Sequence, residues 1–384
     1  MPGDRWADAQ KLLCVRLDSL GDVLLTTPAI GALKTSRPGR SIALLTSASG
    51  VEVAPLLPDV DDVIRYDAPW MKHTADRQNP TADERMIAHL RAERFDAAVI
   101  FTVYSQNPLP AALLCYLAEI PLRAAHCREN PYQLLTDWVR ESEPEQLIRH
   151  EVRRQLDLAA AVGAHTPDER LRLSVSLLAR RHAGACLNEL GIDAERPWAV
   201  VHPGATAASR RWPAERFAEL AGRLAREEGW QIVFTGDRGE QPLIEQIQRL
   251  CGAATHSLAG RLRLDELAAL IEAAPLLISN NTGPVHVAAA VGTPVVDLYA
   301  LTNPQHTPWQ VPHRVLFYDV PCKYCYKSIC PEAHHDCLGR VTVAEVLHAA
   351  LELYDERRFT QEAAAVAGAE PWRCPGSAAP LIPL

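Results

Sequence analysis

The sequence lacks the features that mark membrane, secreted and disulfide-rich proteins. No apolar run reaches the roughly 18 to 20 residues that a membrane-spanning helix requires. Ten cysteines among 384 residues are too few for a disulfide scaffold. Residues 1–10 carry acids where a signal peptide would have a basic start and an apolar core. These absences predict a protein that stays in the cytoplasm.

Basic residues are also scarce relative to acids, since 39 Lys and Arg stand against 47 Asp and Glu, a net charge of -8. Proteins that bind nucleic acid normally carry a basic patch or stripe, and neither half of the sequence supplies a strong one. We therefore expect no nucleic-acid partner. The excess of acidic residues also disfavours strong electrostatic binding to anionic lipid. We therefore expect at most peripheral contact with the inner face of the cytoplasmic membrane.

The length and the order of apolar segments predict two domains of the α/β class. Strand-like segments alternate with helical ones through both halves, which predicts two doubly wound, Rossmann-type domains facing across a cleft. We place these domains at 1–165 and 166–359, followed by a disordered tail rich in Ala and Pro at 360–384. Residues 145–163 are predicted to form a single amphipathic helix.

The stretch Arg16–Pro28, RLDSLGDVLLTTP, joins an apolar strand to a helix through a short turn. Such a turn lies at the carboxyl edge of a parallel sheet, where open α/β folds bind their ligands. Asp22 is predicted in the first turn of the helix, directly after Ser19 and Gly21 of the loop. Asp22 either stabilises the positive end of the helix dipole or acts on a ligand.

Two turns in the second half have the composition of an anion site. HPGATAASRRWP, residues 202–213, follows a strand, and SNNTGPVHVAAAV, residues 279–291, opens a helix with proline. Backbone N–H groups, hydroxyls and a guanidinium at such positions favour a phosphate. His286 on the second segment either packs in the core or touches the ligand. Neither a P-loop nor a dinucleotide fingerprint occurs.

Together these segments resemble glycosyltransferase family 9, the ADP-heptose:lipopolysaccharide heptosyltransferase family. The resemblance covers residues 11–355 and rests on the order of RLDSLGDVLLTTPAI, HPGATAASRRWP, FTGDRGE, SLAGRLRLDELAALI and SNNTGPVHVAAAVGTPVVDLY. It implies a GT-B fold with an acceptor-binding N-terminal domain and a donor-binding C-terminal domain. It also implies an inverting, metal-independent transfer from a nucleotide-diphosphate sugar to a saccharide or lipid-linked saccharide.

The resemblance implies roles for individual residues. Asp22 matches the acid proposed to deprotonate the acceptor hydroxyl, and Arg210 matches a basic residue on the donor diphosphate. Glu240 falls near the acid that holds the donor ribose. The acid of the usual N-D-T-G motif is Asn281 here, which removes a negative charge near the diphosphate. Further phosphate contacts are implied at Thr206, Thr282 and Gly283.

Four of the ten cysteines cluster within PCKYCYKSICPEAHHDCL, residues 321–338. Cys322, Cys325, Cys330 and Cys337 have C-x2-C-x4-C-x6-C spacing and could hold a structural Zn²⁺. The segment could instead contain reduced thiols, a disulfide or an iron–sulfur cluster. A catalytic zinc has no support, because such a site needs an open coordination position.

The predicted function is the transfer of a sugar to a saccharide such as lipopolysaccharide inner core, with Asp22 as the general base. The sugar predicted first is heptose, donated by ADP-heptose. The sequence leaves three alternatives open. The acceptor could be another polysaccharide or a small natural product. The chain could be a nucleotide-sugar binding module without catalysis, which Asn281 would suggest. It could also be an epimerase of the same two-domain architecture.

Overall fold

The computed structural model describes residues 3–72, 74–75 and 79–367. The chain divides into two compact units after Ser174, whereas the predicted domain boundary is residue 165. The last helix continues to Ala367, past the predicted start of the tail, because TQEAAAVA consists largely of good helix formers. The rest of the predicted tail, 368–384, lies outside the described residues.

The first unit contains a six-stranded parallel sheet with the order β3-β2-β1-β4-β5-β6. Its strands are β1 (Lys11–Arg16), β2 (Ser41–Thr46), β3 (Asp62–Arg65), β4 (Ala97–Ile100), β5 (Leu122–Cys127) and β6 (Asp137–Arg140). Its helices are α1 (Gly3–Asp8), α2 (Leu20–Thr35), α3 (Ala48–Val53), α4 (Thr81–Glu93), α5 (Leu109–Leu117) and α6 (Glu151–Ala161). The strand order changes direction between β1 and β4, and ligands of open α/β sheets bind at that position.

The second unit repeats this topology with the order β12-β11-β10-β7-β8-β9. Its strands are β7 (Trp198–His202), β8 (Gln231–Phe234), β9 (His256–Ser257), β10 (Leu277–Asn280), β11 (Val295–Leu298) and β12 (His313–Leu316). Its helices are α7 (Leu177–Glu189), α8 (Ala214–Arg226), α9 (Gln241–Cys251), α10 (Leu264–Ala273), α11 (Gly283–Val291), α12 (Asp336–Gly339) and α13 (Val343–Ala367). The equivalent change of direction lies between β7 and β10.

The central strands are apolar along their whole length because helices cover both faces of each sheet. In β1, Leu12, Leu13, Cys14 and Val15 are at most 1% exposed, and in β10, Leu277 is fully buried. The predicted fold class, α/β with two doubly wound Rossmann-type domains, is confirmed. Within the described ranges, no helix has both the length and the apolar character that crossing a membrane requires.

Helix α2 tolerates a proline because a side chain replaces the missing hydrogen bond. Pro28 lies inside the helix and has no N–H to donate to the carbonyl of Leu24. The hydroxyl of Thr27 donates to that carbonyl instead, at 2.6 Å. The helix that begins at the Asp22 turn therefore continues to Thr35.

The predicted helix at 145–163 is wrong at its start, since α6 begins only at Glu151. The backbone N–H of Arg149 donates to Glu143 Oε1 at 3.2 Å, which holds the preceding residues outside a helix. His150 Nδ1 then accepts from the N–H of Val152 at 3.2 Å and caps α6. The edge strand β6 was not predicted, because it is short and none of its residues is fully buried.

Candidate active site

The turn after β1 places Asp22 in the first turn of α2, as the sequence predicts. Its Oδ2 accepts hydrogen bonds from the backbone N–H of Ser19 at 3.1 Å and from the Ser19 hydroxyl at 2.6 Å. Gly21 is buried in the same turn. Asp22 therefore does serve the helix terminus. Its side chain is still 16% exposed, which leaves the carboxylate accessible to a ligand.

The buried guanidinium of Arg16 holds this turn through ion pairs with its acids. Arg16, the last residue of β1, is 0% exposed and lies 3.2 Å from Asp22 Oδ1. It also forms ion pairs with Asp18 at 3.0 Å and Glu151 at 2.8 Å. Burial alone would lower the pKa of Arg16, but these carboxylates, Asp18 first, raise it above its usual value. Arg16 is therefore a permanent cation that fixes one oxygen of Asp22 while Ser19 fixes the other.

Glu151 connects this cation to the rest of the first unit. Its side chain is 0% exposed, and its Oε1 accepts from Gln155 Nε2 at 2.6 Å as well as from Arg16. Gln155 also donates to the carbonyl of Thr102, which follows β4, at 2.9 Å. Residues from β1, the end of β4 and α6 thus converge on one buried carboxylate at the carboxyl edge of the sheet.

Asp18 is a second acid in the same turn, and its side chain is 10% exposed. Burial raises the pKa of Asp18 to about 6, although Arg16 opposes this rise. Gln106 Nε2 donates a hydrogen bond to its Oδ1. The turn therefore presents two partly exposed carboxyl groups, Asp18 and Asp22, around a single buried cation.

In the second unit, the side chain of Asn280 holds the loop that follows β7 through two hydrogen bonds. Its side chain is fully buried at the end of β10. Its Oδ1 accepts from the N–H of Trp212 at 3.0 Å, and its Nδ2 donates to the carbonyl of Pro203 at 2.7 Å. One amide therefore holds both ends of this loop. Thr206 is exposed on it, and Arg210 is half-buried at the end of a short 3-10 helix.

Glu240 approaches the same loop from β8. A Cβ atom at Gly204 would lie 1.8 Å from Glu240 Oε1, so only glycine leaves room for this carboxylate. Burial raises the pKa of Glu240 above its usual value. His202 Nε2 lies 3.7 Å from Glu240 Oε2, and His202 Nδ1 lies 3.2 Å from the hydroxyl of Thr235. Burial lowers the pKa of His202 to about 4, so this histidine is neutral at pH 7.

Asn281 points into the protein beside a buried acid. Its Nδ2 donates to Asp297 Oδ2 at 2.9 Å and to the carbonyl of His306 at 3.0 Å. Asp297 is 0% exposed, and burial raises its pKa well above the usual value, against the opposing effects of Asn281 and Arg210. The carboxyl group that the motif lacks at position 281 is therefore present on β11, where burial favours its neutral form.

The remaining predicted donor-side residues lie around the start of α11. Thr282 is the N-cap residue, and its hydroxyl donates to the carbonyl of Asn280 at 3.2 Å. Gly283 begins the helix, so its N–H is one of the groups that an anion could use. His286 is 5% exposed, and its ring centre lies 6.5 Å from that of His306. His286 is therefore packed in the interior, and its contact with a ligand stays a prediction.

The four clustered cysteines are half-buried free thiols. Over the described part of the chain, no group of three or more His, Cys, Asp or Glu side chains is arranged to hold a metal ion. Metal binding at these cysteines therefore stays a prediction.

Sequence reasoning missed four buried polar residues that organise the candidate site. Three of the four carried a signal, because a charged or amide group stood at the end of an apolar strand or inside one, as in KLLCVR and PVVDLY. The exception is Glu151, which begins α6. Buried polar groups need partners, so such interruptions indicate a local network. The four residues are Arg16, Glu151, Asn280 and Asp297.

Comparison with known families decides the class of the protein. The model described as "Glycosyltransferase family 9 (heptosyltransferase)" matches residues 84–335, which is more than half of the chain. The chain belongs to glycosyltransferase family 9. This family-9 protein is accordingly a glycosyltransferase enzyme, which confirms the family predicted from the ordered motifs.

Individual relatives agree with this assignment, and two solved structures agree with the fold. Lipopolysaccharide heptosyltransferase 2 of Escherichia coli (strain K12) is 28% identical over 351 residues, which cover 88% of this chain and 96% of that protein. Lipopolysaccharide heptosyltransferase 1 of Pseudomonas aeruginosa is 25% identical, with 83% and 87% covered. A family 9 glycosyl transferase from Veillonella parvula superposes with a TM-score of 0.76 at 23% identity, covering 90% and 98% of the two chains. Escherichia coli ADP-heptose lps heptosyltransferase II superposes with a TM-score of 0.70 at 24% identity, covering 91% and 99%.

The first prediction for this glycosyltransferase concerns the buried ion pair. Replacing Arg16 by Met removes the cation that neutralises Glu151, so we expect the free energy of unfolding to fall by roughly 3–5 kcal/mol. Urea denaturation measures this loss. In a Glu151→Gln background the same replacement should cost clearly less, because the buried carboxylate is gone. Equal losses in both backgrounds would contradict the coupling.

A second prediction concerns the pH dependence of stability. The pKa of His202 lies near 4 in the folded protein and near 6.5 when unfolded, so unfolding takes up a proton below pH 6.5. His202 therefore contributes stability above pH 6.5, and this is lost as the pH falls towards 4, by up to about 3 kcal/mol. His202→Gln should flatten this part of the stability profile measured by urea denaturation at several pH values. An unchanged slope between pH 6.5 and 4 would refute the assignment.

Proposed function

We propose that this glycosyltransferase transfers heptose from ADP-heptose to a saccharide acceptor such as lipopolysaccharide inner core. The transfer inverts the configuration of the sugar and uses no catalytic metal ion. The names of its relatives support the sugar and the acceptor. The observation that carries the catalytic proposal is the partly exposed carboxylate of Asp22, fixed by Arg16 and Ser19 at the carboxyl edge of the first sheet.

Asp22 acts as the general base on the acceptor hydroxyl. Proton removal in the transition state requires a carboxylate held within hydrogen-bond reach of the hydroxyl. Asp22 is held on both oxygens, so its orientation is set before the acceptor arrives. Asp18, the other partly exposed acid of this turn, orients the acceptor by accepting hydrogen bonds from the acceptor's hydroxyl groups. These two separate roles explain why two partly exposed acids surround one buried cation.

The second unit holds the donor. Arg210 and Thr206 on the loop after β7 contact the diphosphate, together with Thr282 and the N–H of Gly283 at the start of α11. Fixed cations and dipoles at this point stabilise the negative charge that develops on the departing diphosphate. Glu240, held close to the loop by the space that Gly204 leaves, binds the donor ribose. Asn281 acts indirectly, since its amide is held by Asp297 and His306.

A lipid-linked acceptor would bring the protein into peripheral contact with the inner face of the cytoplasmic membrane. Another polysaccharide or a small natural product is the alternative acceptor. A binding module without catalysis is the alternative function, and the two carboxyl groups held around Arg16 are the observation against it.

An activity assay tests the proposal directly. The purified protein is incubated with ADP-heptose or another nucleotide sugar, together with a lipopolysaccharide acceptor that lacks heptose. We expect ADP release and an acceptor enlarged by one heptose, both detected by mass spectrometry. Donor binding without transfer to any acceptor would favour the binding module, and isomerised sugar would indicate an epimerase.

The role of Asp22 is tested by its replacement with Asn. The amide keeps the size of the side chain but cannot accept the proton, so we expect turnover to fall by roughly 100-fold or more. Donor affinity, measured by calorimetry with ADP, should stay near that of the wild type. Asp62→Asn makes the same change at an exposed position of β3 and serves as the control. Equal turnover of Asp22→Asn and wild type would remove Asp22 from this role.

A further inference from the structure

The cysteine segment, residues 321–338, is not used by the proposed function, yet it is ordered without a core of its own. From 321 to 335 it contains no helix or strand, and α12 follows as a single short turn. Leu338 is its one buried residue. Long segments without secondary structure inside compact domains are uncommon and usually functional. Apolar burial therefore does not explain why this segment holds one conformation.

The backbone of the segment is also costly to maintain. Tyr324, Tyr326, Ala333 and His335 all have positive φ angles, between 54° and 61°. A non-glycine residue in the left-handed region costs roughly 1–2 kcal/mol. Such conformations persist where the surroundings impose them. Small structures without a sufficient core are usually held by disulfides or by a metal ion.

The four thiols converge on one place in the second unit. One cavity is lined by Cys322, Cys325, Cys330 and Cys337, together with His334 and His335. The four cysteines therefore border one cavity, although they are spread over 16 positions of the sequence.

The hydrogen bonds of His334 define its part in this cluster. Its Nδ1 accepts from the backbone N–H of Asp336 at 2.9 Å, so the ring proton is on Nε2. Nε2 lies 3.7 Å from the sulfur of Cys322 and donates towards it. A protonated nitrogen cannot ligate a metal, whereas an N–H donor stabilises a thiolate. His334 is therefore a partner of a sulfur ligand, and the sulfurs themselves are the ligand set.

We propose that Cys322, Cys325, Cys330 and Cys337 bind one divalent metal ion through four thiolates, either Zn²⁺ or Fe²⁺. The described thiols are not yet arranged around a common centre. Rotation about χ1 moves a cysteine sulfur without moving its backbone, and all four cysteines line the same cavity. Binding displaces the thiol protons and changes no oxidation state. Four protein ligands leave no open position, so the ion is structural.

The metal-bound segment supports the loop that carries Arg210, a consequence that rests on the proposed function. The Ser209 hydroxyl donates to the carbonyl of Lys327 at 2.8 Å, and its N–H donates to the carbonyl of Ser328 at 3.1 Å. Both acceptors lie between Cys325 and Cys330. Ser209 immediately precedes Arg210, so order in the cysteine segment is transmitted to the diphosphate contact.

Metal analysis of the full chain tests the site. The protein is produced in medium supplemented with Zn²⁺ or Fe²⁺, purified without chelators under nitrogen and analysed by elemental mass spectrometry. We expect about one ion per chain and four thiols that react with a thiol reagent only after the metal is displaced. Metal-free protein with four reactive thiols, disulfides within the segment, or inorganic sulfide in the sample would overturn the proposal.

Variants separate this site from the other cysteines. Cys322→Ser and Cys337→Ser should each reduce the bound metal to background, while Cys186→Ser, at a buried lone cysteine of α7, should retain about one ion. A Cys322→Ser variant that keeps a full ion would also overturn the ligand set. The wild-type measurement stands by itself if a variant fails to fold.

ADP binding by calorimetry tests the link to the Arg210 loop. We expect weaker ADP binding by the metal-free protein and by Cys322→Ser than by the metal-bound wild type. Unchanged ADP affinity would refute the support of the loop. Metal content does not depend on transfer, so a metal-bound protein without transferase activity would contradict the proposed function and leave this site intact.

Discussion

The first unit depends on one buried cation. Arg16 ends β1 without exposure to solvent, and it can remain there because three carboxylates surround its guanidinium. Removing one partner from such a cluster leaves a buried charge uncompensated, so the residues depend on one another. The same ion pairs also fix the orientation of the acids in the turn after β1. Glu151 pairs with the buried side of the guanidinium, and Asp22 and Asp18 remain partly exposed with fixed orientations.

In the second unit, neutral amide groups hold the site together in place of a buried cation. Asn280 binds both ends of the loop after β7, and Asn281 binds the buried Asp297. Burial raises the pKa of Asp297, which favours its neutral form. An ionised acid here would oppose the binding of a diphosphate. The amide at position 281 therefore contacts a buried carboxyl group whose neutral form is favoured, and it adds no negative charge near the proposed phosphate contacts.

Patterns within short segments predicted much of the fold and of the site. Apolar runs located the central strands, and the Gly-containing turn placed Asp22 at the start of α2. The predictions failed where a distant residue decides the local structure. The start of α6 depends on Glu143 holding the backbone of Arg149, and no periodicity in 145–163 shows that contact. The burial of Asn281 was also not visible in the sequence, because it depends on Asp297, 16 residues away, and the contact of Asn281 with the donor stays a prediction.

The sequence by itself determined the fold class, the family and the chemistry available at each strand end. These properties follow from hydrophobic periodicity and from residue types in fixed order, which are local. Only the tertiary structure decided which carboxylates share Arg16, that Gly204 makes room for Glu240, and that four cysteines line one cavity. No local pattern shows these contacts, because they exist only once packing has brought strand ends and loops together.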